Sequence, residues 1–169
     1  MIVIIIGLPG TGKTTFSKAL AQEIGAIHLN TDILRDELHL RGRYDRDTKL
    51  LIYELLQDKV AQAIKAQEDI IVDGTFYKKV LRDDYFELAQ KNQVPIYWIE
   101  LKASEDCIRS RVAKKRVYSE ADFQVYLKVK SKFEPMEEDH LQVWNNNSSN
   151  MDDCLLEALQ YLERNQNYG

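Results

Sequence analysis

The fold class is decided near the start of the chain by the stretch Gly7-Leu8-Pro9-Gly10-Thr11-Gly12-Lys13-Thr14. It matches the pattern G-x-x-x-x-G-K-[ST], which cradles phosphate groups where a strand is followed by a helix. The context agrees, because the apolar run Ile2–Ile6 precedes the stretch and a helical pattern over Lys13–Ile24 follows it. A plain strand-to-helix turn would explain the glycines but not the lysine and threonine. The stretch therefore predicts a phosphate-binding P-loop.

Each part of this motif has a chemical role. Glycines allow successive N–H groups to converge on phosphate oxygens, and the helix N-terminus adds a partial positive charge. Lys13 would reach the β- and γ-phosphates, and the Thr14 hydroxyl would bind Mg²⁺. ATP and Mg²⁺ are therefore the predicted cofactors. The predicted nucleotide-binding residues of the loop are Gly7, Pro9, Gly10, Thr11, Gly12, Lys13, Thr14 and Thr15.

Strand-like and helix-like patterns alternate along all 169 residues, which predicts a single α/β domain, residues 1–169, built on a parallel sheet. Mostly continuous apolar runs predict strands covered by helices on both faces. The predicted strands are 2–6, 26–29, 69–72, 95–101 and 141–144. The predicted helices are 13–24, 48–67, 78–92, 104–113, 121–133 and 152–164, and residues 145–150 are predicted to form an exposed loop.

Composition excludes several classes of protein. The net charge of −4 creates no field that would draw the chain to nucleic acid or to an anionic membrane. No apolar run is long enough to span a bilayer, and the opening run is too short for a signal peptide, so we expect a cytoplasmic protein without a membrane partner. Cys107 and Cys154 are too isolated for a disulfide framework and are expected to be inert core thiols. The three histidines have no metal-binding spacing and are expected to be structural.

Two acidic positions follow predicted strands, at the sheet edge where ligands bind in open parallel sheets. Asp32 and Arg35 would share one face if a helix begins there, and the pair suits a base with a substrate-side cation. The alternative is that Thr31 or Asp32 caps that helix while Arg35 forms a surface ion pair. Asp73 ends a buried run and suits a ligand of Mg²⁺, although a turn into Gly74 is the competing interpretation.

The rest of the sequence indicates which class of nucleotide-binding protein this chain is. An Asn-Lys-x-Asp motif for reading guanine is absent, and no second carboxylate follows Asp73 as in hexameric ATPases. A small kinase fits better, because it needs the P-loop, a base and a cationic lid. The alternative is a regulatory module that binds nucleotide without transferring phosphate. Five cations lie between Arg109 and Arg116, and their simplest interpretation is a solvated helix face.

Taken together, these motifs resemble the predicted-kinase family of small, AAA-like P-loop proteins. Its relatives include polynucleotide 5′-hydroxyl kinase and the kinase domain of seryl-tRNA(Sec) kinase. The resemblance rests on the P-loop, Asp32-x-x-Arg35, residues 72–75, the basic run and residues 119–135, and it extends to about residue 164. It implies a three-layer P-loop kinase fold with a five-stranded parallel sheet in the order 2-3-1-4-5, helices on both faces and a small lid at 114–120.

The same resemblance implies roles for individual residues. Asp32 would be the general base, Arg35 its substrate-side partner, and Asp73 an acidic residue that places metal or substrate. Arg111 and Arg116 would be lid arginines that close over ATP. We therefore expect an ATP-dependent phosphotransferase that acts on a hydroxyl of a small molecule or of a nucleic-acid end. The net charge favours the small molecule, and only one predicted helix follows the last strand, so a tRNA-binding domain like that of the tRNA kinase is not predicted.

Overall fold

The computed structural model describes residues 1–43, 45–113, 123–146 and 151–166. The strands are β1 (Ile2–Ile6), β2 (Ile27–Asn30), β3 (Ile70–Gly74), β4 (Ile96–Lys102) and β5 (Leu141–Trp144). The helices are α1 (Lys13–Ile24), α2 (Thr31–Glu37), α3 (Arg46–Lys65), α4 (Lys79–Asn92), α5 (Glu105–Val112), α6 (Phe123–Lys130) and α7 (Met151–Gln166). None of these helices is long and apolar enough to cross a membrane.

The five strands form one parallel sheet in the order β2-β3-β1-β4-β5, which confirms the predicted fold class and strand order. The central strand β1 is completely buried. Because side chains alternate across a strand, Ile2, Ile4 and Ile6 pack on one face with residues of α2, α3 and α4. Val3 and Ile5 pack on the opposite face with residues of α1 and α7. The sheet is therefore the middle of three layers, and it places the P-loop at the end of the central strand.

The predicted element boundaries differ from the observed ones for local reasons. Helix α3 begins two residues earlier than predicted, because the Asp45 carboxylate caps it by accepting a hydrogen bond from the Thr48 N–H over 2.9 Å. Strand β3 continues through Asp73 and Gly74, because both residues keep their pairing with β1. Helix α6 ends at Lys130, before the predicted residue 133. Helix α2, which was only a conditional prediction, is present and follows β2 directly.

Candidate active site

The P-loop runs from the end of β1 to the start of α1. It requires glycine at positions where a Cβ atom would clash with neighbouring residues. Gly12 has φ of 95°, and a Cβ atom there would lie 2.5 Å from Asn145 Nδ2. A side chain at Gly7 would collide with the carbonyl oxygen of Leu101 in β4. Inside the loop, the buried Thr11 donates a hydrogen bond from its Oγ1 to the Leu8 carbonyl over 2.9 Å. Without side chains at these glycines, the backbone N–H groups of the loop remain accessible to phosphate oxygens, so the residues of the loop fit a nucleotide.

Two side chains of the P-loop, Lys13 and Thr14, make hydrogen bonds near the loop. Lys13 Nζ donates to the Leu8 carbonyl oxygen over 3.0 Å, so its ammonium lies across the loop. The Thr14 hydroxyl donates to Asp73 Oδ1 over 3.5 Å. A hydroxyl and a carboxylate at this separation form a donor set that suits Mg²⁺, which usually keeps several waters and substrate phosphates as its other ligands. In the described ranges no group of three His, Cys, Asp or Glu residues could hold a metal unaided.

Asp73 is fully buried in β3 and is held by residues of the neighbouring strand β2. Asn30 pairs with it across the ladder and donates an Nδ2 hydrogen bond to Asp73 Oδ1. His28 Nε2 lies 2.6 Å from Asp73 Oδ2. Because this carboxylate is inside the ladder and engaged on both oxygens, the competing interpretation of Asp73 as a turn initiator is wrong.

Helix α2 places Asp32 and Arg35 beside the P-loop. Asn30 caps the helix by accepting hydrogen bonds at Oδ1 from the N–H groups of Asp32 and Ile33, each over 2.8 Å. The alternative in which Thr31 or Asp32 is the cap is therefore wrong. Arg35 is also not at the surface: it is only 5% exposed, and its Nη1 donates to Asp32 Oδ1 over 3.0 Å.

Electrostatic interactions connect three of the predicted catalytic side chains, Lys13, Asp32 and Arg35. The Asp32 side chain is 37% exposed. The surrounding protein nevertheless desolvates its carboxylate, and this burial raises the pKa of Asp32 above its ordinary value. Arg35 and Lys13 oppose the rise, while the negative charge of Asp73 adds to it. Side chains from the P-loop, α2 and β3 thus lie within one another's electric field at a single sheet edge.

Arg111 and Asn145 both bond the backbone of the P-loop at one carbonyl oxygen. Arg111 Nη1 donates to the Thr11 carbonyl over 3.2 Å, and Asn145 Nδ2 donates to the same oxygen over 2.9 Å. The two side chains also bond each other, from Arg111 Nη2 to Asn145 Oδ1, over 3.2 Å. Asn145 is only 3% exposed, so the prediction that residues 145–150 form an exposed loop is wrong at its first residue. Residues 147–150, Arg116 and the predicted lid 114–120 lie outside the described residues.

The described cations of the basic run are not simply solvated. Arg111 bonds the P-loop, and the Arg109 guanidinium lies 3.8 Å from the centroid of the Phe123 ring in α6. This cation–π contact joins α5 to α6. The solvated-face interpretation is therefore wrong for Arg111, whereas Arg109 remains exposed beside Phe123.

Four residues that hold this region together were not predicted: His28, Asn30, Arg82 and Asn145. His28 and Asn30 stand two positions apart on β2, a spacing that puts them on one face, but only the strand order puts Asp73 beside them. Arg82 has no exposed surface and donates from Nη1 to Phe76 O over 3.1 Å, from Nη2 to Pro135 O over 3.0 Å, and from Nε to Glu138 Oε1 over 3.1 Å. No sequence pattern identifies such a long-range connection.

The cysteines are both free thiols, as predicted, but only Cys154 is buried in the core. Cys107 is partly exposed, and its Sγ lies 2.6 Å from the Asn146 carbonyl oxygen, so the expectation of a core thiol is wrong for Cys107.

A parallel sheet in this strand order, with a P-loop after its central strand, defines a three-layer P-loop nucleotide-binding fold. A family model described as "AAA domain" matches residues 2–136, and the chain belongs to that family. The predicted resemblance to small AAA-like P-loop proteins is therefore confirmed.

Among curated relatives, an L-seryl-tRNA(Sec) kinase of Methanococcus maripaludis is 32% identical over 121 residues, 66% of this chain and 44% of that protein. A bifunctional polynucleotide phosphatase/kinase of Schizosaccharomyces pombe is 26% identical over 108 residues, 64% of this chain and 22% of that protein. An adenylate kinase of Thermosipho melanesiensis is 25% identical over 132 residues, 69% and 60% of the two chains. The chain thus spans less than two thirds of the length of each of these relatives.

Solved structures agree on the fold. A sugar kinase from Janibacter sp. HTCC2649 superposes with a TM-score of 0.71 at 19% identity, covering 96% of this chain and 94% of that one. A gluconokinase from Sinorhizobium meliloti 1021 superposes with a TM-score of 0.73 at 18% identity, covering 96% and 91%. At these identities the likeness concerns the architecture alone.

Proposed function

We propose that this chain is an ATP-dependent, Mg²⁺-requiring kinase that transfers the γ-phosphoryl group of ATP to a hydroxyl group of an acceptor. The observation that carries the proposal is the meeting of Lys13, Asp32 and Asp73 at one sheet edge. A module that only binds nucleotide needs the first and last of these groups. It has no use for a desolvated carboxylate such as Asp32, held in place by the buried Arg35.

In the proposed mechanism each residue has a separate task. Asp32 accepts the proton of the acceptor hydroxyl as that oxygen bonds to phosphorus and the bond from phosphorus to the ADP oxygen breaks. A raised pKa makes Asp32 a stronger base than an ordinary aspartate. Arg35 orients the Asp32 carboxylate through their 3.0 Å hydrogen bond. Lys13 stabilises the negative charge that spreads over the phosphoryl oxygens.

Other residues would hold the nucleotide and its metal. Thr14 and Asp73 would hold Mg²⁺, and Arg111, bonded to the P-loop carbonyl of Thr11, would contact ATP. Bound Mg²⁺·ATP would supply the phosphoryl group and the positive charge that makes it electrophilic. Arg116 and the segment 114–120 would form a lid within a single 1–169 domain. A cytoplasmic location stays a prediction of the sequence.

The adenylate kinase among the relatives makes the acceptor group the main question, because the name of that relative does not imply an alcohol. The test measures ATP turnover with a panel of alcohols, phosphorylated metabolites, nucleoside monophosphates and oligonucleotides with free 5′-hydroxyls. Product analysis by phosphorus NMR separates phosphate esters from phosphoanhydrides. We expect an ester product. Tight ATP binding with no acceptor phosphorylated would favour the regulatory module, and an anhydride would overturn the alcohol acceptor.

A further inference from the structure

Asn30 lies where one secondary-structure element passes directly into the next. It is the last residue of β2 and, with extended backbone angles of φ −142° and ψ 137°, also the N-cap of α2, which begins at the very next residue. In the parallel ladder Asn30 lies opposite Asp73 of β3. The first turn of α2 is therefore attached to the ladder position that faces the Asp73 carboxylate.

The oxygen end of the Asn30 amide faces helix α2. Its Oδ1 accepts hydrogen bonds from the N–H groups of Asp32 and Ile33, each over 2.8 Å. These N–H groups belong to the first turn of the helix, where the backbone donors have no partner inside the helix. Both lone pairs of the oxygen are thus used on the element that carries the proposed base, Asp32.

The nitrogen end of the same amide faces the two groups proposed to hold Mg²⁺. Nδ2 donates one hydrogen bond to Asp73 Oδ1 and another to Thr14 Oγ1, the second over 3.2 Å. The Thr14 hydroxyl has two lone pairs, so it can accept from Asn30 and still bind a cation. Both N–H donors of the amide are thus used on the metal side of the site.

The chemistry of these partners explains why the residue is an asparagine. Among side chains of this length, only an amide offers two donors at one end and an oxygen with two lone pairs at the other. The α2 N–H groups require an acceptor and the Asp73 carboxylate requires a donor, which fixes the orientation of the amide. An aspartate would put a second carboxylate against Asp73. Asn30 is only 5% exposed, so water has little access to either set of partners.

The two carboxylates that Asn30 connects repel each other, because the negative charge of Asp73 contributes to the raised pKa of Asp32. Their separation must therefore be held by the surrounding structure. His28, on the same strand as Asn30, lies 2.6 Å from Asp73 Oδ2 and holds the other oxygen of that carboxylate. Asn30 differs from His28 because it bonds the Asp73 carboxylate and the backbone of α2 with one rigid group.

We propose that Asn30 is a positioning residue that fixes Asp73 on the metal side and Asp32 on the acceptor side relative to each other. This inference rests on the proposed function, because it concerns the alignment of the same transfer step. Phosphoryl transfer needs the attacking and leaving oxygens roughly in line through phosphorus. A misplacement of about 1 Å can lower the rate about 10²-fold. Asn30 acts through the groups that it bonds and does not itself contact the reacting atoms.

Two substitutions separate the two ends of the amide. Asn30→Ser keeps a side-chain oxygen of the kind preferred at an N-cap but removes both amide N–H donors, whereas Asn30→Ala removes the cap as well. Calorimetric titration of a non-hydrolysable ATP analogue at a series of Mg²⁺ concentrations measures the metal side without turnover. We expect both variants to need about tenfold more Mg²⁺ for tight binding, the scale for losing a group that orients a metal ligand.

Hydrogen exchange of the Asp32 and Ile33 N–H groups, followed by NMR, measures the α2 side. We expect at least tenfold faster exchange in Asn30→Ala and nearly wild-type exchange in Asn30→Ser. A wild-type Mg²⁺ requirement in both variants overturns the inference. Exchange in Asn30→Ser as fast as in Asn30→Ala overturns the separate roles of the two ends. If Asn30→Ala does not fold, the Mg²⁺ requirement of Asn30→Ser decides alone.

The matched control is Asp45→Ala, which removes the N-cap of a different helix, α3. It should lower the melting temperature, as Asn30→Ala does, but leave the Mg²⁺ requirement and the exchange of the first turn of α2 unchanged. The same losses in Asp45→Ala would mean that Asn30 contributes only general stability, and would overturn the inference.

Steady-state kinetics separate this inference from the proposed function, with ribose, adenosine and a 5′-hydroxyl oligonucleotide as acceptors. Asn30→Ser should raise the Mg²⁺ concentration for half-maximal rate and leave the KM for the acceptor nearly unchanged. Asn30→Ala should also lower kcat at saturating Mg²⁺ at least tenfold, because Asp32 loses its fixed position. Ester formation at wild-type rates by both variants at limiting Mg²⁺ overturns the inference and leaves the kinase intact. Effects of Asn30 on Mg²⁺ and on exchange, with no ester product from wild type, overturn the kinase and leave the positioning role.

Discussion

Two parts of the site are constructed differently: the P-loop side, residues 7–14 with Arg111 and Asn145, and the α2 side, Asp32 and Arg35. Main-chain geometry dominates the P-loop side: the loop backbone follows its glycines, and both outside side chains bond one carbonyl oxygen, that of Thr11. The α2 side is a pair of side chains on one helix, Asp32 and Arg35, that act on each other through charge and burial.

This difference has a consequence for substitutions. The backbone cradle carries no information about the acceptor, because P-loop proteins with different acceptors all bind nucleotide phosphates in this way. A side-chain cluster is specific to one acceptor and can change residue by residue. Substitutions on the two sides should therefore separate the binding of ATP from the use of the acceptor.

The largest expected effect comes from Asp32→Asn on the α2 side. We expect acceptor phosphorylation to fall about 10²- to 10⁴-fold, the range for losing a general base, while the Kd for Mg²⁺·ATP stays nearly unchanged. Steady-state kinetics and calorimetric titration of the ATP analogue measure the two quantities. Asp73→Asn is the comparison: it should raise the Mg²⁺ concentration needed for half-maximal rate, because it removes a metal-side carboxylate. An equal loss of ATP affinity in both variants would show that the two roles are assigned wrongly.

The next effect comes from Lys13→Ala on the P-loop side. We expect turnover to fall by about 10² to 10³, as for the loss of one preorganised electrostatic donor. The ammonium of Lys13 should stabilise the transferring phosphoryl group more than it stabilises bound ATP, so kcat should change more than Kd. Lys18→Ala, an exposed lysine on the same helix, is the matched control and should be normal. Unchanged turnover in Lys13→Ala would remove the P-loop lysine from the mechanism.

A smaller effect decides between the two proposed lid arginines. Arg116→Ala should lower kcat about 10- to 100-fold, the loss of one hydrogen bond to a charged group, with little change in the Kd for ATP. Arg116→Lys should rescue poorly if the guanidinium bridges two phosphate oxygens, since lysine lacks the planar fork. Arg111→Ala should instead raise the Kd for ATP, because Arg111 is bonded to the P-loop. A normal kcat in Arg116→Ala with an inactive Arg111→Ala would move the role to Arg111.

The smallest effect is on stability and has a defined pH dependence. Because the folded-state pKa of Asp32 is raised above its ordinary value of 3.8, the folded protein binds the proton more tightly than the unfolded chain does. The contribution of Asp32 to stability is therefore lost as pH rises from about that value through the raised pKa. Asp32→Asn should melt at a slightly higher temperature than wild type at pH 7, and the difference should vanish as the pH approaches 3.8.

Calorimetric melting temperatures between pH 4 and pH 7 check this expectation, with Asp36→Asn on the exposed side of α2 as the control. A melting temperature for Asp32→Asn below that of wild type at pH 7 would mean that the ion pair with Arg35 outweighs the desolvation of the carboxylate.

The sequence by itself determined the P-loop and the layered α/β architecture, and it allowed Asp32 and Arg35 to share a helix face on the condition that a helix begins there. Each depends on neighbours in sequence: glycine spacing sets backbone angles, hydrophobic periodicity sets the buried face, and an i, i+3 spacing sets a shared helix face. These local relations exist whatever the rest of the chain does. The order of the strands followed from the resemblance of the motifs to a known family, and the sheet confirms it.

Only the tertiary structure decided what surrounds those motifs. Asp73 meets His28 because β2 lies beside β3, and Arg82 binds the carbonyl oxygen of Pro135, which is 53 positions away in the sequence. Asn145 reaches Thr11 across 134 positions, so a residue expected in a solvated loop is buried against the P-loop. Contacts between distant residues depend on how whole elements pack, and one sequence carries no local pattern that records such packing.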